Sequence, residues 1–144
     1  MQGIHCTSDA PFVLARLGPE RAEEGAYVWQ KLLRSGARIA NGTDAPVEAT
    51  DPLPGYRALV TRQQKNGQVF YADQRMTRAE ALEAYTLSGA YAAFEEAIKG
   101  SLAAGKLADI TVLSSDITAV PEDDILKAKV AYTIVGGKVV YQAQ

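Results

Sequence analysis

Histidine and cysteine are nearly missing from this sequence: each occurs once in 144 residues. A catalytic metal site ordinarily takes three protein ligands, often histidines. The chain therefore cannot assemble a histidine-rich centre by itself. The lone Cys6 cannot form an internal disulfide, which fits a reducing, cytoplasmic setting. Its simplest role is that of a small buried side chain. Long apolar runs are missing too. None approaches the roughly 18 residues of a membrane-spanning helix. The start, MQGIHCTSDAP, lacks the basic-then-apolar order of a secretory signal. Nor is there an excess of positive charge. The net charge is -2, so the electrostatic footprint of a nucleic-acid binder is absent.

What remains has the composition of a globular protein, with 47% hydrophobic and 22% charged residues. A chain of this length buries about 70% of its unfolded surface if it closes into one compact domain. No internal repeat or low-complexity tract interrupts it.

The patterning divides near Gly100. MQGIHCT has the makings of a short strand. GPERAEEGAYVWQKLLRSG, residues 18–36, predicts one helix. Glu20, Glu23 and Glu24 suit the positive end of its dipole, and Ala26, Trp29, Leu32 and Leu33 recur at helical spacing. ARIAN, residues 37–41, then predicts a short strand. A helix leading straight into a strand suits a crossover unit of a parallel sheet. YRALVTRQ, residues 56–63, predicts a second helix, and KNGQ, residues 65–68, a turn. Thr77 and Glu80 have the spacing of a capping box opening a third helix, and SGAYAAFEEA continues the helical pattern. After residue 100 come a strand in LADITVLSSD, a turn in VPEDDILKA, and a hairpin in VAYTIVGGKVVYQ. Gly136-Gly137 supplies the positive φ that a two-residue hairpin turn demands.

Few polar groups stand where chemistry is carried out: His5, Asp9, Thr43, Asp44, Glu48 and Arg62. Asp44 lies where ARIAN gives way to a loop, between Gly42 and Pro46. In parallel α/β architectures the active face forms where strands end and loops begin. A carboxylate there can hold a cation or accept a proton from water. Gly42 would let the backbone approach closely, and Pro46 would stiffen the exit. Equally, Asp44 fits an Asx turn closed on neighbouring N–H groups. His5 and Asp9 have structural readings of the same kind, as a hydrogen-bonded residue and a turn or cap residue. Arg62 suits a surface or structural ion pair.

Three stretches taken together resemble the metal-dependent amidohydrolases, in the branch that includes N-substituted formamide deformylase. They are residues 2–62, with GTDAPVE inside them, RMTRAEALEAYTLSGAYAAFEEAIKGSLAAGKLADITVLSSD, and the closing VAYTIVGGKVVY. The resemblance implies an α/β fold: the C-terminal fragment of a (β/α)8 barrel plus a small β-sandwich segment. Residues 1–99 would supply the last two or three barrel units, and residues 100–144 the sandwich segment. It implies a water activated by a divalent metal, zinc, that attacks a small-molecule amide or related C–N bond. Asp44 would bind the metal and shuttle the proton, while His5 and Asp9 would contact substrate. Gly100 and Gly105 would make turns, and Asp109 would fix a strand start.

The His-x-His pair that the family places on its first barrel strand is absent from the chain. A full barrel needs about 250 residues. The expectation is therefore a partial enzyme, inactive alone and without a metal of its own, that either associates with itself or needs a missing N-terminal barrel segment. The competing expectation is a non-catalytic interaction module in which Asp44 merely forms a turn.

Overall fold

Helices fill the first two thirds of the chain, and a small sheet closes it. The structure is a computed structural model describing all residues from Met1 to Gln144. In order come α1 (His5–Ser8), α2 (Ala10–Leu17), α3 (Pro19–Gly25), α4 (Trp29–Arg34), α5 (Pro52–Thr61), α6 (Arg78–Tyr85) and α7 (Leu87–Ala92). The strands are β1 (Ile110–Leu113), β2 (Val130–Val135) and β3 (Lys138–Gln142). They form one antiparallel sheet in the order β1-β2-β3.

The local signals explain most of these boundaries. Asp51 caps α5 by accepting from the Leu53 N–H at 3.0 Å, with Pro52 in the first turn. The helix thus begins four residues before the apolar pattern of YRALV alone indicates. At α6 the capping box closes in both directions: the Thr77 hydroxyl accepts from Glu80 N–H at 3.2 Å, and the Glu80 carboxylate from Thr77 N–H at 2.7 Å. The turn at residues 65–68 closes an isolated antiparallel bridge between Gln63 and Val69. Gly136 and Gly137 turn the β2–β3 hairpin with φ of 56° and 77°. The Asp109 carboxylate holds that turn by accepting from Gly136 N–H at 2.8 Å.

Four expectations need correction. MQGIHCT is not a strand: His5–Ser8 is one helical turn, and Thr7 and Ser8 return hydroxyl hydrogen bonds to the Ile4 carbonyl. Residues 18–36 do not form one helix. The chain breaks between α3 and α4 at Tyr27, whose φ is 55°. Tertiary bonds hold the break, because the Tyr27 hydroxyl donates to Asp9 at 2.6 Å and its carbonyl accepts from Arg62 Nη1 at 2.9 Å. ARIAN runs without a strand ladder. A strand needs neighbours, and this one has only Met1, whose amine donates to the Ala40 carbonyl and whose carbonyl accepts from Gly42 N–H. That pair of bonds is the pattern of a single parallel pairing. Finally, α7 stops at Ala92 rather than running to residue 97, because Phe94 turns left-handed with φ of 59° and Glu95 N–H returns to the Ala90 carbonyl.

The main core joins both ends of the chain. Ile39, Leu53, Tyr56, Leu59, Val60, Met76 and Ala81 pack with Ile117, Ile125 and Ala128. A second cluster gathers Ala10, Val13, Ala22, Ala26 and Phe70. Apolar surface is nonetheless left bare. The chain exposes 8871 Å², where a folded monomer of this mass exposes about 7,200 Å². Part of the exposed apolar area lies on the sheet: all of β3 is exposed, with Val139 at 56% and Val140 at 62%. β3 is also an edge strand with unpaired backbone groups, which template association. Concentration-dependent self-association is therefore expected in analytical ultracentrifugation, and Val140→Lys should weaken it. A monodisperse monomer from micromolar to millimolar concentration would count against this reading.

Candidate functional site

The site grows from the loop that follows residues 37–41. Asn41 anchors it from both sides: its N–H donates to the Ala84 carbonyl at 2.9 Å, and its side-chain oxygen accepts from Gly3 N–H at 2.6 Å. One amide side chain thus sets the spacing between the segment bearing Asp44 and the segment bearing His5. Its pattern, a single Asn before Gly, gives no hint of that role in the sequence. Gly3 comes so close to Leu59 that a Cβ would sit 2.6 Å from Leu59 Cγ and Cδ2. The close approach expected at Gly42 is therefore found at Gly3, while Gly42 faces open space.

Asp44 adopts a left-handed backbone, φ 63°, ahead of a cis Ala45–Pro46 bond. Aspartate is among the few residues that tolerate this region. The carbonyl of Asp44 accepts from Val47 N–H at 2.8 Å and Glu48 N–H at 3.4 Å. The turn is thus closed by the main chain, and no N–H is within bonding reach of the carboxylate. An Asx turn does not describe it. Instead Asp44 Oδ2 lies 3.7 Å from His5 Nε2, with the side chains 42% and 19% exposed. That distance is too long for a direct hydrogen bond but suits two groups sharing a cation, a water or a substrate atom.

Asp9 is brought nearby but engaged otherwise, since its Oδ2 accepts from the Tyr27 hydroxyl. Burial first, and this bond with the Asp9 charge second, push the Tyr27 hydroxyl pKa upward. Thr43 and Glu48 line a small cleft beside Asp44.

Arg62 is not in a surface ion pair. It is fully buried and has no carboxylate partner. Nε donates to the Phe70 carbonyl and Nη1 to that of Tyr27, while the guanidinium lies over the Phe70 ring at 5.4 Å and Nη2 has no acceptor. Desolvation lowers its pKa. The residue is a clip joining the end of α5 to residues 27 and 70. A C-terminal helix position gives no sign of such burial.

Cys6 is buried as expected, its thiol directed at the Ala58 carbonyl at 3.6 Å. Burial pushes its pKa up from 9.0 to about 11. The folded chain holds the neutral thiol, while the unfolded chain ionises first as pH rises. The contribution of Cys6 to stability is thus complete below about pH 9 and falls away toward pH 11, by roughly 3 kcal/mol at 1.36 kcal/mol per pH unit. Burial moves Tyr27, Tyr56 and Tyr85 in the same direction. Urea midpoints measured from pH 8 to 11 should fall steadily, and Cys6→Ser should flatten part of the decline. A flat profile would contradict it.

Nowhere do three metal-ligating side chains converge. His5 and Asp44 alone face each other as two potential donors. They fit as part of a coordination set, and a tetrahedral site needs at least one further protein ligand.

Residues 1–141 match the model of a family described as the amidohydrolase family. The chain is 34% identical over 145 residues to the putative amidohydrolase YtcJ of Bacillus subtilis (strain 168), covering 99% of this chain and 27% of that protein. It is 28% identical over 113 residues to the N-substituted formamide deformylase of Arthrobacter pascens, covering 78% of this chain and 21% of that protein. Among solved structures it superposes on an uncharacterized metal-dependent hydrolase from Pyrococcus horikoshii OT3 with a TM-score of 0.72 and 28% identity, over 85% of this chain and 25% of that one. The chain thus spans about a quarter of the length of the proteins it matches.

Proposed function

Because this chain belongs to the amidohydrolase family, we propose that it supplies the C-terminal part of a hydrolytic site for a small-molecule, amide-type C–N bond. The N-substituted formamide deformylase among its relatives supports that bond type. In this reading residues 1–99 are the last units of a (β/α)8 barrel and residues 100–144 a sandwich segment. The single Met1–Asn41 pairing supports it, since adjacent parallel barrel strands pair in that way.

The observation that carries the proposal is the Asp44 carboxylate, uncommitted to any backbone donor and facing His5. A divalent metal, zinc in this reading, would be held by Asp44 together with ligands from polypeptide outside this chain, and would supply Lewis-acid activation of water. Asp44 accepts a proton from the attacking water and returns it to the departing nitrogen. His5 positions the substrate from the opposite side. Asp9, at the junction of α1 and α2 and bonded to Tyr27, would contact substrate as well.

Two donors do not retain zinc against dialysis. The isolated chain is expected to carry far less than one zinc per protomer by mass spectrometry. It should gain zinc and amidase activity only when joined to a segment bearing the remaining ligands. Stoichiometric zinc on a monomer would refute the shared site. A reconstituted barrel that binds zinc but never turns over amides would favour a non-catalytic interaction module.

A further inference from the structure

Two buried polar atoms beside the segment that leads to Asp44 have no partner: the Asn41 side-chain nitrogen and the Tyr85 hydroxyl. They are neighbours. Asn41 N–H donates to the carbonyl of Ala84, the residue before Tyr85. The Asn41 amide also lies close enough to the Tyr85 hydroxyl to lower its pKa, against the burial that pushes it up to about 12. The orientation of the amide is set elsewhere. Its oxygen accepts from Gly3 N–H at 2.6 Å, and turning it over would place one donor against another. The nitrogen is therefore the atom left to meet Tyr85.

The hydroxyl is confined from its other side. A Cβ added at Gly55, inside α5, would sit 2.2 Å from Tyr85 Oη and 3.5 Å from Tyr85 Cζ. Glycine inside a helix is costly in conformational entropy, and what it provides here is room for this oxygen. A buried donor and a buried acceptor left apart each carry a desolvation penalty, which a bond between them removes.

From this we infer that Tyr85 is a positioning residue of the hydrolytic site: its hydroxyl accepts from the Asn41 side-chain N–H and locks the amide that spaces the Asp44 segment from the His5 segment. Asn41 is then held by α6 through Tyr85 and Ala84, and by Gly3, two residues before His5. Gly55 keeps the place of the hydroxyl open. The inference rests on the proposed role of Asp44 for its catalytic meaning, but not for its test.

The test is made on the isotope-labelled chain by NMR, without metal or turnover. The Asn41 side-chain NH₂ should exchange slowly with solvent. Tyr85→Phe should speed that exchange by about 10-fold, the worth of one buried hydrogen bond. It should also shift the Gly3 amide and weaken the nuclear Overhauser contact between the His5 ring and the Asp44 β-hydrogens. Tyr56→Phe is the control, since it removes another buried hydroxyl, one directed at the Arg78 and Ile117 carbonyls. It should lower stability and leave all three signals in place. Gly55→Ala is an independent arm. It should reproduce the changes at Asn41 and Gly3 by displacing the hydroxyl, yet be tolerated in the Tyr85→Phe background, where the nearest ring atom lies at 3.5 Å. Asp44→Asn should leave the Asn41 exchange rate unchanged, so failure of the hydrolytic reading would not resemble failure of this one. Rapid Asn41 exchange in the unaltered chain, a Tyr85→Phe variant whose signals match those of Tyr56→Phe, or equal damage from Gly55→Ala in both backgrounds would overturn the inference.

Discussion

In an active assembly containing this chain, Asp44→Asn is expected to lower kcat by about 10²–10⁴-fold, the usual effect of losing a general base. The substitution keeps size and shape but removes the proton acceptor. It also keeps the backbone, because asparagine tolerates the left-handed region that φ 63° demands. The melting temperature of the chain should therefore stay unchanged, which separates chemistry from folding. Asp44→Ala is the informative contrast. Alanine lacks the carboxylate and also meets a penalty of about 1–2 kcal/mol for a left-handed backbone, so it should lose both rate and stability. Near-normal turnover by the asparagine variant would dismiss the catalytic role. His5→Ala should raise KM more than it lowers metal content. The reverse pattern would make His5 a ligand, as its 3.7 Å approach to Asp44 permits.

The largest structural effect is expected from Leu59→Ala. Leu59 is completely buried at the centre of the main core. Truncating such a residue costs about 2–5 kcal/mol through lost transfer energy and the cavity left behind. Domains of this size are typically stable by only about 5–15 kcal/mol. The urea midpoint should fall sharply, with the slope unchanged. The effect reaches the site as well, because Leu59 is the side chain against which Gly3 packs, two residues before His5. Gly3→Ala alone should also destabilise, since its Cβ would collide with Leu59. Together the two changes should cost less than their sum, because the added methyl enters the space that the leucine vacates. Strict additivity would show that the two segments do not touch in solution.

Legibility followed the range of the interactions. Thr77 and Glu80 identified the start of α6 because a capping box is closed within four residues. Gly136 and Gly137 identified the hairpin because positive φ is a property of the residue itself. Tyr27 was misread inside a helix because its break is held by Asp9 and Arg62, eighteen and thirty-five residues away. Arg62 suits a surface or structural ion pair on sequence grounds, because no local pattern marks a guanidinium that is buried on carbonyls from two distant segments instead of a carboxylate. Residues 37–41 carry an apolar strand pattern, but a ladder requires neighbours, and Met1 alone supplies one.

By itself, the sequence determined the family, the start of α6, the hairpin, and the identity of Asp44 and His5 as the groups to watch. All of these rest on residue types and on spacings of a few positions. Only the tertiary structure decided that Asp44 and His5 face each other, and that Asn41 and Leu59 set the two segments against one another. The reason is distance along the chain: His5 and Asp44 are thirty-nine residues apart, and a 3.7 Å approach across that separation is fixed by packing and not by any local preference.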